Sequence, residues 1–143
     1  MTTAQKILAA KGGDVVWIGP DATAQEAAQL MNRHRIGSVV VIAEGKPTGI
    51  FTERDVLQRI VAEQRDPAAT KVGEVMTTPV ACAAPHTTDE ELRDVFRNKR
   101  IRHLPVVDAG RVIGMVSIGD VNRVEKKVQE QTIQYLQQYM SVP

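Results

Sequence analysis

The sequence predicts an α+β fold in which two β-α-β-β-α units follow one another and pack with pseudo-two-fold symmetry. The first observation behind this is a repeat. Val15–Val56 slides onto Val80–Val121 at an offset of 65 residues without a gap. Identical pairs include Val15/Val80, Pro20/Pro85, Thr23/Thr88, Glu26/Glu91, Arg35/Arg100, Ile36/Ile101, Val41/Val106, Gly45/Gly110, Gly49/Gly114 and Asp55/Asp120, and Thr52/Ser117 keeps a hydroxyl. A repeat of this length is half a domain rather than a solenoid unit. The second observation is the order of patterns within each copy, where short β-branched runs alternate with amphipathic stretches. Two like halves in one short chain leave clefts between them in pairs.

In the first copy, Val15-Val16-Trp17-Ile18 reads as a short strand, broken by Gly19-Pro20-Asp21. Thr23 with Glu26 three residues on resembles a capping box, so a helix is expected over Ala24–His34 with Ala27, Ala28, Leu30 and Met31 on its apolar face. Ser38–Ile42 is a continuous β-branched run, as in a strand covered on both faces. Glu44-Gly45 turns the chain into a strand over Thr48–Phe51, and a second helix runs from about Glu53 to Ala62. Gln64–Lys71 is a polar connection, and Val72–Met76 a short apolar lead-in to the second copy. That copy repeats the order: strand Val80–Ala83, helix Asp89–Lys99, strand His103–Val107, turn Ala109-Gly110, strand Val112–Val116 and a helix from Ile118. This last helix extends to about Met140, with Val121, Val124, Val128, Ile133, Leu136 and Met140 on one stripe. The stripe either covers its own core or packs against another subunit.

At 143 residues the chain is long enough for one domain with a sizeable core. A net charge of +1 gives no field to attract nucleic acid or anionic lipid, and aromatic residues at 3% leave few stacking platforms. No apolar run approaches the roughly 18–20 residues of a membrane span, and Met1–Lys11 carries no signal-peptide core, so a cytoplasmic location is expected. The single cysteine, Cys82, cannot form an internal disulfide and reads as a small buried hydrophobe without an activating neighbour.

The strongest local signal occurs twice. Gly49-Ile50-Phe51-Thr52-Glu53-Arg54-Asp55 matches Gly114-Met115-Val116-Ser117-Ile118-Gly119-Asp120, each where a strand feeds a helix. A hydroxyl there caps the helix, and the first-turn amides present partial positive charge to a phosphate. An aspartate three residues later can accept hydrogen bonds from two ribose hydroxyls, as acidic residues do in other nucleotide folds. The plainer alternative is a capping box and nothing more.

Taken together, Gly49–Asp55, Gly114–Asp120, the phrase Arg100-Ile101-Arg102-His103-Leu104-Pro105-Val106-Val107-Asp108 and the lead-in Val72–Pro79 resemble the cystathionine-β-synthase (CBS) domain, and the chain resembles a stand-alone pair of them. The resemblance implies a single Bateman module over 1–143, with repeats over 10–64 and 72–125 and a helical extension over 126–143. It implies a homodimer and clefts that bind AMP, ADP, ATP or NAD(H). Each cleft would be completed by the other repeat. Asp55 and Asp120 would hold ribose, and Thr52 and Ser117 would contact ribose or phosphate. Thr87, Arg102 and His103 would join the Asp55 cleft. Ala22, Ile36, Gly37 and Ser38 would join the Asp120 cleft and meet the adenine edge.

The copies differ in charge. Arg54 aligns with Gly119, and Arg102-His103 with Gly37-Ser38, so cations are expected around Asp55, where an Arg fork can grip phosphate. The Asp120 cleft is expected to prefer a nucleoside end or to stay empty. Arg35 and Arg100 each end a helix, where the dipole favours a cation. His34, His86 and His103 show no metal-ligand spacing, Ser117 lies in no nucleophile elbow, and no Walker motif is present. The sequence therefore reads as a non-enzymatic regulatory module with no catalytic cofactor and an unknown regulated partner. The alternative is an assembly module without a physiological ligand.

Overall fold

The structure, a computed structural model, describes residues 1–12 and 14–140. Its elements are α1 (Ala4–Lys11), β1 (Trp17–Ile18), α2 (Ala24–His34), β2 (Ser38–Ala43), β3 (Lys46–Thr52), α3 (Glu53–Asp55, continued in π-helical geometry over Val56–Val61), α4 (Val72–Val75), α5 (Asp89–Lys99), β4 (His103–Asp108), β5 (Arg111–Ser117) and α6 (Ile118–Met140). Strands β1, β2 and β3 form one sheet in that order, and β4 and β5 form a second. The hairpins match in detail. Ser38 pairs with Thr52 and His103 with Ser117, and both ladders slip at the same place, Val41/Ile42 and Val106/Val107. Their turns carry positive φ at Glu44-Gly45 and Ala109-Gly110, the geometry that matches the twist of paired strands.

Helices α2 and α5 begin as their sequences dictate. The Thr23 hydroxyl accepts the Glu26 amide at 3.1 Å, and Thr88 accepts that of Glu91 at 3.2 Å. Both end on an arginine in left-handed geometry, Arg35 at φ 55° and Arg100 at φ 53°.

The second copy has no strand over Val80–Ala83. Only Ala83 bridges to Val106, in parallel. In the first copy Trp17 pairs with Val40 and Ile18 with Val41. Pro105 stands where Val40 stands and has no N–H to donate, so the ladder stops after one bridge. Cys82 takes the place of Trp17 and is exposed rather than buried, because this edge leaves one face to solvent. Partial desolvation still pushes its thiol up, away from the reactive thiolate.

The N-terminal residues, read above only as lacking a signal sequence, form a helix that belongs to the repeat. Ala4 N–H donates to Thr87 O at 2.7 Å and Gln5 N–H to Pro85 O at 2.9 Å. In the same manner Val72 N–H donates to Ala22 O at 2.8 Å and Gly73 N–H to Pro20 O at 2.9 Å. Thus α1 lies on the second repeat as α4 lies on the first. The two cores show the exchange. Ala4 and Ile7 are buried with Leu92, Phe96, Leu104, Val116 and Val121. Val72 and Val75 are buried with Ala27, Met31, Val41 and Phe51. Full burial of each such aliphatic side chain is worth roughly 1.5–3 kcal/mol, enough to seat a short helix.

Helix α6 covers its own core through Val121, which is buried, and Val124, which is half-buried. Ile133 has left that core and is 53% exposed. The side chains of Val128, Leu136 and Met140, and Ser141–Pro143 of the expected extension, lie outside the described residues. No helix among the described residues is long and apolar enough to cross a membrane.

Candidate functional site

Two grooves of about 570 Å³ each lie between the repeats. One contains Asp55 and the other Asp120, and both are lined from both repeats. Strand β3 delivers Thr52 and strand β5 delivers Ser117 to a helix start. The Asp55 amide donates to the Thr52 hydroxyl at 3.1 Å, and the Thr52 amide donates to Asp55 Oδ2 at 2.9 Å. Ser117 and Asp120 repeat the pair at 3.1 and 2.9 Å. Each aspartate is therefore a capping-box member, as the plainer sequence reading holds. Both carboxylates are also buried at the floor of an open groove, at 4% exposure for each residue.

The glycine that opens each motif has a steric reason. A Cβ on Gly49 would lie 2.4 Å from Met76 Sδ, and one on Gly114 would lie 2.5 Å from Leu8 Cδ2. Met76, just after α4, and Leu8 of α1 cross the strands at those points. The residues that follow them reach the aspartates. The Thr77 hydroxyl donates to Asp55 Oδ1 at 3.0 Å, with Oδ2 at 3.3 Å, and Arg59 Nε stands 3.5 Å from Oδ1. Lys11 Nζ donates to Asp120 Oδ2 at 2.9 Å and to Met115 O at 2.8 Å, and Arg123 pairs with Asp120 Oδ1.

The sequence-predicted residues separate into two groups. Thr52, Arg54, Asp55, Arg102 and His103 line the Asp55 groove, and Ile36, Gly37, Ser38, Ser117 and Asp120 line the Asp120 groove. Thr87 and Ala22 line neither. These equivalent positions seat the lead-in helices instead: the Thr87 carbonyl receives Ala4 and its hydroxyl accepts the Ala84 amide at 2.9 Å, while the Ala22 carbonyl receives Val72. Lys11, Arg59, Thr77 and Arg123 are site residues that the sequence reading did not name. Arg123, one turn beyond Asp120, was visible as an i, i+3 pair.

Charge differs between the grooves. The Asp55 groove has five full cations (Arg54, Arg59, Lys99, Arg100, Arg102) against Glu53 and Asp55. The Asp120 groove has Lys11, Arg35 and Arg123 against Asp14 and Asp120. His103 lines both. Burial lowers its pKa, outweighing the upward pull of Glu53, so it faces the grooves as a neutral imidazole at pH 7. Burial pushes the Asp120 carboxyl up, but the Ser117 amide and the Lys11 ammonium outweigh this and hold it below its ordinary value.

Paired repeats with a capped aspartate in each inter-repeat groove define a tandem-repeat class of protein. The CBS domain family model matches residues 10–62 and 72–127, and the chain belongs to that family as a CBS-domain pair. It is 34% identical over 148 aligned positions to the mitochondrial CBS domain-containing protein CBSX3 of Arabidopsis thaliana, covering 97% of this chain and 72% of that one. The structure superimposes on the CBS-domain containing protein ATU1752 from Agrobacterium tumefaciens with a TM-score of 0.81 and 37% identity, covering 87% and 99% of the two chains. Two more distant structures hold ligands. PAE2072 from Pyrobaculum aerophilum is complexed with AMP (TM-score 0.74, 25% identity, 82% and 88% covered). The CBS pair of MJ0100 is in complex with 5-methylthioadenosine and S-adenosyl-L-methionine (TM-score 0.79, 25% identity, 89% and 98% covered).

Proposed function

We propose that this chain is a non-enzymatic sensor that binds an adenosine nucleotide, AMP, ADP, ATP or NAD(H), in the Asp55 groove. The observation that carries the reading is the buried Asp55 carboxylate at the floor of an open, cation-rimmed groove, where its outer partner is a hydroxyl that a ribose hydroxyl can replace. Thr52 lines the same space, and Arg54 and Arg102 supply charge for phosphate. That AMP and S-adenosyl-L-methionine occupy related modules supports an adenosine ligand, since both carry the same ribose and base. Binding shifts the packing of the repeats, or of a homodimer in a cytoplasmic compartment, by the ligand's differential affinity for the two states, and a partner protein reads the change. The proposed module spans 1–143, with repeats over 10–64 and 72–125 and an extension over 126–143.

Calorimetry with AMP, ATP, NAD and NADH tests this. Binding is expected, and Asp55→Ala should abolish it. Arg54→Ala should weaken AMP and ATP at least tenfold more than adenosine; equal losses would remove the role assigned to Arg54. The capping-box geometry favours one rival, an assembly module in which the aspartates serve only as caps. On that reading Asp55→Ala costs about 0.5–2 kcal/mol of stability, and the folded wild type binds none of the four ligands.

A further inference from the structure

The two aspartates are held by different chemistry. Asp55 has, beyond its own cap, a hydroxyl and a guanidinium nitrogen at 3.5 Å. Asp120 has an ammonium at 2.9 Å on one oxygen and the Arg123 guanidinium on the other. The source of the difference is three extra residues. By their matched amide bonds, α1 and α4 are related by an offset of 68, whereas the motifs that follow are related by 65. The extra length continues α1 for another turn past Leu8 and places Lys11 on a carboxylate 109 residues away.

We propose that Lys11 decides whether the Asp120 groove accepts a ribose: its ammonium holds Oδ2, one of the two carboxylate oxygens that a sugar diol would share, so this chain binds adenosine nucleotides at one site, the Asp55 groove. This rests on the reading of the grooves as nucleotide sites. A diol entering at Asp55 exchanges one neutral hydroxyl for another. A diol entering at Asp120 must exchange an ammonium–carboxylate bond, in which both partners are charged, for one in which only the acceptor is charged. Lys11 is anchored a second time on Met115 O, and Leu8 seats its helix against Gly114, so the ammonium competes as a tethered group at high effective concentration. Its own side chain is 40% exposed where it lines the open groove.

The test is AMP calorimetry on wild type, Lys11→Met and Lys11→Met/Asp55→Asn, with carboxyl NMR titration of Asp120 in the free proteins. Lys11→Gln serves as a second variant if methionine unsettles α1. Expected are one AMP per wild-type chain, two in Lys11→Met, one in the double variant, and an Asp120 titration moved upward when Lys11 is replaced. An unchanged titration overturns the proposal, as does a wild-type second site as tight as that of the variant. Binding confined to Asp55 in every protein also overturns it. The function proposal fails separately: no AMP on wild type, with one AMP on Lys11→Met that Asp55→Asn leaves intact, would remove the Asp55 site and keep the role of Lys11. No AMP on any of the proteins would remove both.

Discussion

At the scale of single residues, His103 joins the two grooves. It occupies the position that Ser38 holds in the first repeat, paired across the hairpin with Ser117. Burial lowers its pKa from the ordinary 6.5; Glu53 and Asp120 raise it, and Lys11 and Arg102 lower it further. Its proton affinity is thus weaker in the fold than in the unfolded chain. Between its folded value and 6.5 the unfolded chain binds more protons. Its contribution to stability is complete above 6.5 and declines as pH falls through that window, with a slope of at most about 1.4 kcal/mol per pH unit. Denaturant midpoints measured from pH 7.5 to 5 should therefore fall more steeply for wild type than for His103→Gln. Parallel slopes would place the acid sensitivity elsewhere. On the proposed reading, a phosphate beside this imidazole would meet a hydrogen-bonding group rather than a fixed charge, leaving the charge to Arg54 and Arg102.

At the scale of elements, the lead-in helices explain the glycines. Gly49 and Gly114 sit in mid-strand, where glycine weakens a strand and marks close approach by a neighbour. At Gly49 the neighbours are Met76 Sδ at 2.4 Å and the Thr77 carbonyl at 3.1 Å from an added Cβ. Gly49→Ala should cost about 1–3 kcal/mol through overpacking, seen as a Tm lowered by several degrees. An unchanged Tm would mean that α4 is not seated on β3. The same helices account for Thr87 and Ala22, which are expected at the clefts from sequence yet serve as docking points for backbone amides. Pro105 shows the other side of local reading: the apolar run Val80–Ala83 suits a strand, but its partner strand lacks the N–H to pair with it.

At the scale of the whole molecule, what was legible in the sequence is what repeats without a gap. Helices α2 and α5 fall on the expected residues, and the hairpins extend the expected strands by one or two residues at their ends. Both cap-and-aspartate motifs lie at strand-to-helix junctions, and Arg102, His103, Ile36, Gly37 and Ser38 reach the grooves. The three added residues broke the match ahead of Val15, so α1 did not register as part of the repeat. Lys11 and Thr77 were hidden for a related reason: their bonds to Asp120 and Asp55 cross 109 and 22 residues, and no local pattern encodes such a pairing. The width of the turns over Val56–Val61 was likewise beyond a pattern that fixes only which residues are helical.

The seating of α1 on the far repeat sets an order of assembly. During synthesis, the first repeat receives its own cover, α4, soon after its strands emerge. Helix α1 is made before either repeat, yet its seat on β5 and Asp120 appears only about a hundred residues later. Contacts separated so widely in the chain close slowly, and domains form from the N-terminus as the ribosome advances. Ribosome-held chains ending before Met115 should show α1 amides exchanging freely while those of β2 and β3 are already protected. A helix translated ahead of both repeats then locks only after the second is complete.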